Sequence, residues 1–315
     1  MEEKTSDCGG GKRPRLPGWL RRKHVVGANA EAVQKMLDEL GLATVCSSAH
    51  CPNMAECFQR RTATFMILGD RCTRACRFCA VHTAAPEPVR ADEPEAVAEA
   101  CARLGLRHVV ITSVTRDDLL DGGAGHFAAV CQAVRRRLPD SIIEILTPDF
   151  QGHRNDVETA LSGGADIFNH NVETVPRLYA TVRPQADYAQ SLRVLEWGRQ
   201  WARQRDARLH TKSGVMVGLG ETRDELRQVF RDLHDAGCEI LTIGQYLAPS
   251  PAHHPVVRFV EPSEFEEMER EARELGFSAV AAGPFVRSSY HADQVFRSGQ
   301  YEMPETGTAD PKFPG

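Results

Sequence analysis

Six of the ten cysteines lie between residues 46 and 79, in two groups of three. Cys46-x4-Cys51-x5-Cys57 is termed the upstream triad, and Cys72-x3-Cys76-x2-Cys79 the downstream triad. Disulfides would need an oxidising compartment, and structural zinc normally takes four ligands in paired C-x-x-C units. Sets of three thiolates instead indicate iron-sulfur clusters in which one iron lacks a cysteine. Each triad therefore predicts a cluster whose last ligand comes from elsewhere in the chain or from a molecule that the site activates.

The downstream triad resembles the cluster motif of the radical S-adenosylmethionine superfamily, with Phe78 before its last cysteine. The upstream triad, a short distance before it, resembles that of the lipoyl synthase family in particular. Four later segments also resemble this family: Thr112–Leu119, Asn169–Thr174, Lys212–Glu221 and Arg287–Tyr290. The resemblance covers roughly residues 20 to 300. Two triads together with the Arg-Ser-Ser-Tyr segment are much more specific than one triad alone.

The resemblance implies two 4Fe-4S clusters and S-adenosylmethionine as cofactors. The downstream triad would be catalytic, holding the cluster whose open iron binds the amino and carboxylate groups of S-adenosylmethionine. The upstream triad would hold an auxiliary cluster that donates sulfur, with Ser288 as its fourth ligand. Ser289 offers the same donor chemistry, and only the analogy selects Ser288. The implied reaction inserts sulfur at carbons six and eight of a protein-bound octanoyl-lysine.

Four polar residues at predicted strand ends are expected to bind S-adenosylmethionine: Thr112, Ser113, Asn171 and Glu173. Arg183, before Pro184, is expected to pair with a carboxylate of the ligand, and Glu221 belongs to the glycine-containing segment after the fifth strand. Gly214, Gly218 and Gly220 resemble the superfamily segment that cradles adenosine, where close backbone approach favours glycine. These residue types also have ordinary structural uses. Asn and Thr commonly cap helices, and Arg116 could form a surface pair with Asp117 or Asp118.

The elements that must position these residues alternate between strand and helix. Apolar runs predict six strands, near residues 64–69, 108–113, 142–147, 165–171, 209–217 and 239–247. Alternating strands and helices favour a parallel sheet, and six units are fewer than the eight of a closed barrel. The predicted fold class is therefore α/β, a partial, open six-unit β/α barrel of the radical S-adenosylmethionine type with N-terminal and C-terminal extensions. Ligand sites in such folds lie at the carboxyl ends of the strands.

Five segments are predicted along the chain. They are a flexible basic arm (1–28), an N-terminal extension with the upstream triad (29–61), the partial barrel (62–250), a C-terminal extension with the Arg-Ser-Ser-Tyr segment (251–297) and a disordered tail (298–315). Asn29 is expected to cap the first helix, and Asp92 with Glu95 to form a capping box. A helix over 262–275 and the apolar run Ala279–Ala282 are placed in the C-terminal extension. The basic arm is either a solvated tail or a docking strip for an acidic protein.

Composition narrows the remaining possibilities. A net charge of −5 argues against nucleic acid and membrane surfaces as partners. The sequence contains no run of eighteen apolar residues, so it predicts no membrane-spanning helix. The N-terminus fits neither a secretory signal nor a transit peptide, so a reducing cytoplasm is expected. By the resemblance, the partners are octanoylated lipoyl carrier domains, on the acyltransferase subunit of 2-oxoacid dehydrogenases or the glycine cleavage H protein. An electron donor such as ferredoxin or flavodoxin is also implied.

Two other functions are alternatives to the sulfur insertion that the resemblance implies. A radical enzyme of the biotin synthase or methylthiotransferase type would share the downstream triad, although the upstream triad and the Arg-Ser-Ser-Tyr segment argue against it. A non-catalytic iron-sulfur electron carrier would not need a barrel with polar strand ends, and ferredoxin-type cysteine spacing is absent. Cys101, Cys131 and Cys238 lie in apolar surroundings and are expected to be structural.

Overall fold

The computed structural model describes residues 16–21, 28–49, 51–60, 62–289 and 292. Most of the predicted basic arm and all of the predicted tail (298–315) lie outside these residues. Ten strands are described: β1 (Ala43–Thr44), β2 (Thr64–Ile67), β3 (Arg71–Cys72), β4 (His82–Thr83), β5 (His108–Ser113), β6 (Ile142–Leu146), β7 (Ile167–Asn169), β8 (His210–Val217), β9 (Ile240–Gln245) and β10 (Ala279–Gly283). The α-helices described are α1 (Ala28–Glu39), α2 (Val45–Ser48), α3 (Met54–Gln59), α4 (Glu93–Leu104), α5 (Ala124–Arg137), α6 (Arg154–Leu161), α7 (Tyr179–Val182), α8 (Tyr188–Arg205), α9 (Arg223–Asp235) and α10 (Pro262–Leu275).

One eight-stranded sheet, in the order β1-β2-β5-β6-β7-β8-β9-β10, organises the molecule. All neighbouring pairs from β2 to β10 are parallel, and only β1 pairs antiparallel with β2. No pairing within the described residues joins β1 to β10, so the sheet is an open barrel. β3 and β4 form a separate two-stranded sheet that brackets the downstream triad.

The strands and helices follow from their burial patterns. β2 and β9 are buried at every position, as expected for parallel strands covered on both faces. Helix α9 buries Leu226, Val229, Phe230 and Leu233, which share one face at helical spacing. Its start is fixed by a capping box between Thr222 and Glu225. Because the strands from β2 to β10 pair in parallel, their carboxyl ends lie at one edge of the sheet.

The predicted open six-unit β/α barrel is confirmed, since β2, β5, β6, β7, β8 and β9 are the six predicted strands, and one further strand continues the sheet. The run Ala279–Ala282, expected to belong to an extension, forms most of β10 and pairs in parallel with β9. Two predicted caps also differ. Asn29 lies inside α1, where its side chain donates to the Gln59 carbonyl. Asp92 holds the predicted N-cap position of α4, but its carboxylate accepts from Arg90 at 2.6 Å and caps no backbone N–H.

Candidate active site

A cavity of about 750 Å³ opens at the carboxyl ends of the parallel strands. Both cysteine triads line it, together with residues from β2, β5, β6, β8 and β9, the segment after β7 and the segment after β10. Ser288 and Ser289, more than 200 residues after the triads, reach the same cavity. The fold thus brings the two cysteine triads and the two serines into one cavity.

Arg74, between Cys72 and Cys76, fixes the loop of the downstream triad. Its guanidinium forms a two-point contact with Asp117, at 2.7 and 2.9 Å, and donates to Asp149 at 2.9 Å. Asp149 is 1% exposed and also accepts from Gln190 at 2.9 Å. Two carboxylates on the loops after β5 and β6 therefore hold a cationic side chain within the loop of the downstream triad.

Backbone contacts complete the support of this loop. The sulfur of Cys72 accepts from the Thr115 N–H at 3.3 Å and from the Arg74 N–H at 3.5 Å. His253, after β9, lies with Nε2 3.0 Å from the Cys79 carbonyl. Donors directed at a cysteine sulfur stabilise the thiolate and tune the potential of a cluster bound to it.

Two short helices carry the ends of the upstream triad, with Cys46 in α2 and Cys57 in α3, and Cys51 lies between them. Thr44 caps α2 by accepting from the Ser47 N–H at 3.2 Å. Asn53, immediately before α3, donates to the Phe285 carbonyl at 2.8 Å. This bond ties the upstream triad to the C-terminal segment that carries the two serines.

Ser288 and Ser289 contact different side chains. Asn171 Nδ2 donates to Ser288 Oγ at 2.7 Å, and Thr64 Oγ1 donates to Ser289 Oγ at 2.8 Å. Gly214 makes room for this arrangement, because a Cβ there would lie 2.9 Å from Ser288 Oγ and 2.8 Å from Asn171 Oδ1. Position 244 also requires glycine, because a Cβ there would overlap the Val286 carbonyl oxygen.

The thiols suit iron-sulfur ligation. Burial raises the pKa of Cys46 to about 12, of Cys57 to about 11 and of Cys79 to about 12, and it also raises the pKa of Cys76. Such thiols stay neutral until a metal displaces their protons. Within the described ranges no three His, Cys, Asp or Glu side chains converge as on a single metal ion. A cluster places its cysteines on different iron atoms, so wider spacing is compatible with it.

Several polar atoms in the cavity wall are buried without a hydrogen-bond partner. They are Ser113 Oγ, Thr147 Oγ1, His170 Nε2, Asn171 Oδ1 and Arg183 Nε. Buried polar atoms are normally paired, so this group fits a polar ligand at the strand ends. Burial, with a smaller contribution from the nearby Arg183 charge, lowers the pKa of His170 to about 4. The imidazole is therefore neutral.

The sequence-predicted cofactor residues differ in their placement. Thr112, Ser113, Asn171, Glu173 and Arg183 line the cavity. Glu221 does not, because its carboxylate accepts from the backbone N–H groups of Gly218 and Leu219 at 2.6 and 2.9 Å. The role of each in binding remains a prediction.

Sequence reasoning missed Arg74, Asp149 and His170. Arg116 does pair with Asp118, at 2.9 Å, but Asp117 turns to Arg74 instead. The position of Arg74 between two cysteines of the downstream triad could have identified it. No sequence signal marks Asp149 as its partner.

Comparisons with known proteins agree with this geometry. The Radical SAM superfamily model matches residues 66–233. Lipoyl synthase of Methylococcus capsulatus is 56% identical and covers 89% of this chain and 86% of its own, and that of Thiobacillus denitrificans is 54% identical and covers 90% of each. Among solved structures, an FeFe-hydrogenase maturase aligns with a TM-score of 0.55 at 12% identity, over 86% of this chain and 67% of its own. Methylornithine synthase aligns with a TM-score of 0.52 at 18% identity, over 67% and 61%. At these identities the two structures show the fold alone.

Proposed function

Since the chain belongs to the lipoyl synthase family of the radical S-adenosylmethionine superfamily, we propose that it inserts two sulfur atoms into a protein-bound octanoyl-lysine. Sulfur would enter at carbons six and eight and give the lipoyl group. The observation that carries this proposal is the shared cavity, which is lined by both triads and by Ser288. A substrate chain in that cavity can approach the sites of radical formation and of sulfur supply without leaving the enclosure.

Two 4Fe-4S clusters and S-adenosylmethionine, when bound, would supply the electron, the hydrogen-abstracting adenosyl radical and the sulfur. The downstream triad would hold one cluster and the upstream triad with Ser288 the other. Arg74 would keep the downstream loop in one conformation through Asp117 and Asp149. The buried polar atoms of Ser113, Thr147 and His170 that have no hydrogen-bond partner would bind S-adenosylmethionine at the strand ends. The cavity walls would orient the acyl chain and exclude groups that quench radicals.

The partners follow from this reaction. The substrate would be an octanoylated lipoyl carrier domain, of the 2-oxoacid dehydrogenase acyltransferase or of the glycine cleavage H protein. A low-potential protein such as ferredoxin or flavodoxin would deliver electrons, and the thiolate sites suit a reducing cytoplasm. No helix in the described part of the chain is both long and apolar enough to cross a membrane.

Anaerobic incubation with an octanoylated peptide, S-adenosylmethionine and a reductant tests the proposal. Mass spectrometry should find a peptide that has gained two sulfur atoms as the dithiol, and that loses two hydrogens when it is then oxidised to the disulfide, together with deoxyadenosine and methionine. A peptide with an unmodified lysine is the control, and it should yield no sulfurated product. Cofactor cleavage without any sulfur in the octanoyl peptide would contradict the proposed reaction.

A further inference from the structure

Leu68, the residue directly after β2, has a backbone conformation that leucine rarely adopts. Its φ is +67°, in the left-handed region, where a Cβ crowds the neighbouring carbonyl oxygen. Three residues separate it from Cys72, so Leu68 sets the direction in which the chain leaves the sheet for the downstream triad. A residue strained in this way persists only where surrounding contacts hold it.

Glu93, the first residue of α4, supplies one of these contacts. Its Oε2 accepts from the Leu68 N–H at 2.9 Å and lies 2.6 Å from His126 Nε2. A carboxylate only accepts, so the backbone and the imidazole both direct a hydrogen at the same oxygen. Glu93 is 4% exposed, and a hydrogen bond from a buried N–H to a charged group is stronger than one to a neutral group. The carboxylate therefore stabilises the strained conformation of Leu68.

A second contact holds the carbonyl of Leu68. Arg116, on the segment after β5, donates to it through Nη1 at 3.1 Å. Thr115, the residue before Arg116, donates its backbone N–H to Cys72 Sγ at 3.3 Å. One short segment thus contacts both the start of the downstream loop and its first cysteine. A displacement of Leu68 would therefore disturb the surroundings of Cys72.

The side chain of Leu68 is held by close packing. It is 3% exposed, and it lies against Gly123, the residue before α5. A Cβ at position 123 would overlap Leu68 Cδ1. The N–H, the carbonyl and the side chain of Leu68 are thus each fixed by a different part of the fold.

From these contacts we propose that Glu93 is a positioning residue for the downstream triad and that it acts through Leu68. The inference rests on the proposed role of that triad as a cluster site. By holding Leu68 in its left-handed conformation, Glu93 fixes the point where the loop leaves β2 and keeps Cys72 aligned with the other two thiols. Glu93 lies outside the cavity wall, so it affects a bound cluster only by placing the ligands.

Iron release tests the proposal in the full chain with all three upstream cysteines replaced by Ala, so that only the downstream triad holds iron. After anaerobic reconstitution, Glu93→Ala should lose iron to a chelator about tenfold faster than this parent, as expected for one charge-assisted hydrogen bond. Glu93→Gln keeps an acceptor oxygen for the Leu68 N–H, so it should stay within about twofold of the parent. Glu95→Ala is the matched control, because Glu95 lies in the same first turn of α4 but its side chain is 70% exposed. It should behave as the parent.

Gly123→Ala displaces Leu68 by a different route. Its new Cβ would overlap the leucine side chain, so it should also speed the release of iron from the downstream triad. Gly164→Ala is the matched control, since its φ of +87° is close to the +89° of Gly123 but no described atom lies within 4 Å of its Cβ position. Because Glu93→Ala and Gly123→Ala act on the same residue, their combined effect should be smaller than the product of the two separate effects.

Hydrogen exchange of the cluster-free chain separates this inference from the proposed function. Glu93→Ala should speed amide exchange in residues 68–73 about tenfold and leave residues 43–60 unchanged. Equal acceleration in both segments, or equal acceleration of iron release from the upstream triad in the chain without downstream cysteines, would overturn the inference. So would exchange and iron release in Glu93→Ala that match the parent. A downstream triad that takes up no iron, with exchange altered as expected, would reject the proposed cluster but still support the positioning of Cys72 by Glu93.

Discussion

At the scale of single residues, His170 illustrates how burial fixes the chemistry of the cavity wall. Its Nδ1 lies 2.9 Å from the Thr147 carbonyl, so in the neutral ring Nδ1 carries the proton and Nε2 is an acceptor. Burial lowers the pKa of His170 to about 4, below the ordinary value of 6.5. The imidazole can therefore accept a hydrogen bond from a ligand throughout the neutral pH range.

This depressed pKa predicts an acid-sensitive contribution to stability. An unfolded His170 would take up a proton below about pH 6.5, while the folded one resists protonation until about pH 4. The contribution is thus present above pH 6.5 and is lost as the pH falls from there towards 4. For the cluster-free chain, urea unfolding should show a loss of about 2 kcal/mol from this residue between pH 7.5 and pH 5.

His170→Asn should flatten that pH dependence. His153→Asn is the matched control, because the side chain of His153 is 62% exposed, and it should leave the dependence as in the wild type. If the stabilities of His170→Asn and the wild type fall equally between pH 7.5 and pH 5, the buried neutral imidazole is not the cause.

At the scale of elements, the loop of the downstream triad depends on one buried ion pair more than on its surface charges. Replacing Arg74 by Gln would leave Asp149 buried without its cation, and breaking a buried pair of this kind costs about 3–5 kcal/mol. Reconstituted Arg74→Gln should therefore hold less iron and unfold at a lower urea concentration. Arg74→Lys keeps the charge but loses the two-point contact, so an intermediate result is expected.

Arg71 provides the control for this loop. It pairs with Glu87 at 2.8 Å, but these side chains are 43% and 65% exposed, and exposed pairs contribute about 1 kcal/mol or less. Arg71→Gln should leave iron content and stability close to those of the wild type. Equal losses from Arg71→Gln and Arg74→Gln would contradict the role assigned to the buried pair.

The sequence predicts elements whose signal is local. Six strands stand out because each combines an apolar run with a following helix, and the two triads stand out because their spacing is short. Ala279–Ala282 is placed in an extension because the run is short and made of small residues, and its pairing with β9, which joins it to the main sheet, has no local signal. Residue type alone predicts Asn29 and Asp92 as caps, but the side chain of Asn29 donates to the Gln59 carbonyl and that of Asp92 accepts from Arg90.

Contacts between distant parts of the chain are what the sequence leaves open. The pair of Asn171 and Ser288 spans 117 residues and that of Arg74 and Asp149 spans 75. Neither position differs in residue type from an ordinary strand end or surface loop. Both pairs exist because parallel strands bring their carboxyl ends to one edge, where the C-terminal segment also packs.

At the scale of the whole molecule, the two triads are supported by separate parts of the fold. The upstream triad lies on α2, α3 and the turn between them, and it is tied to the C-terminal segment through Asn53 and Phe285. The downstream triad is bracketed by β3 and β4 and is held by the loops after β5, β6 and β9. Loss of one set of thiols should therefore leave the other site intact.

That separation predicts a division of labour between the triads. Wild-type chain should hold about eight irons after reconstitution, and replacing either triad by Ala should leave about half, by the stoichiometry of two 4Fe-4S clusters. The Cys46, Cys51 and Cys57 triple variant should still cleave S-adenosylmethionine, because the downstream loop and its anchors are unchanged, but it should form no sulfurated peptide. The downstream triple variant should do neither. Iron analysis, deoxyadenosine release and peptide mass are measured on the same samples. Complete loss of iron from either triple variant would show that the two sites are not independent, and sulfurated peptide from the upstream variant would exclude that triad as the source of sulfur.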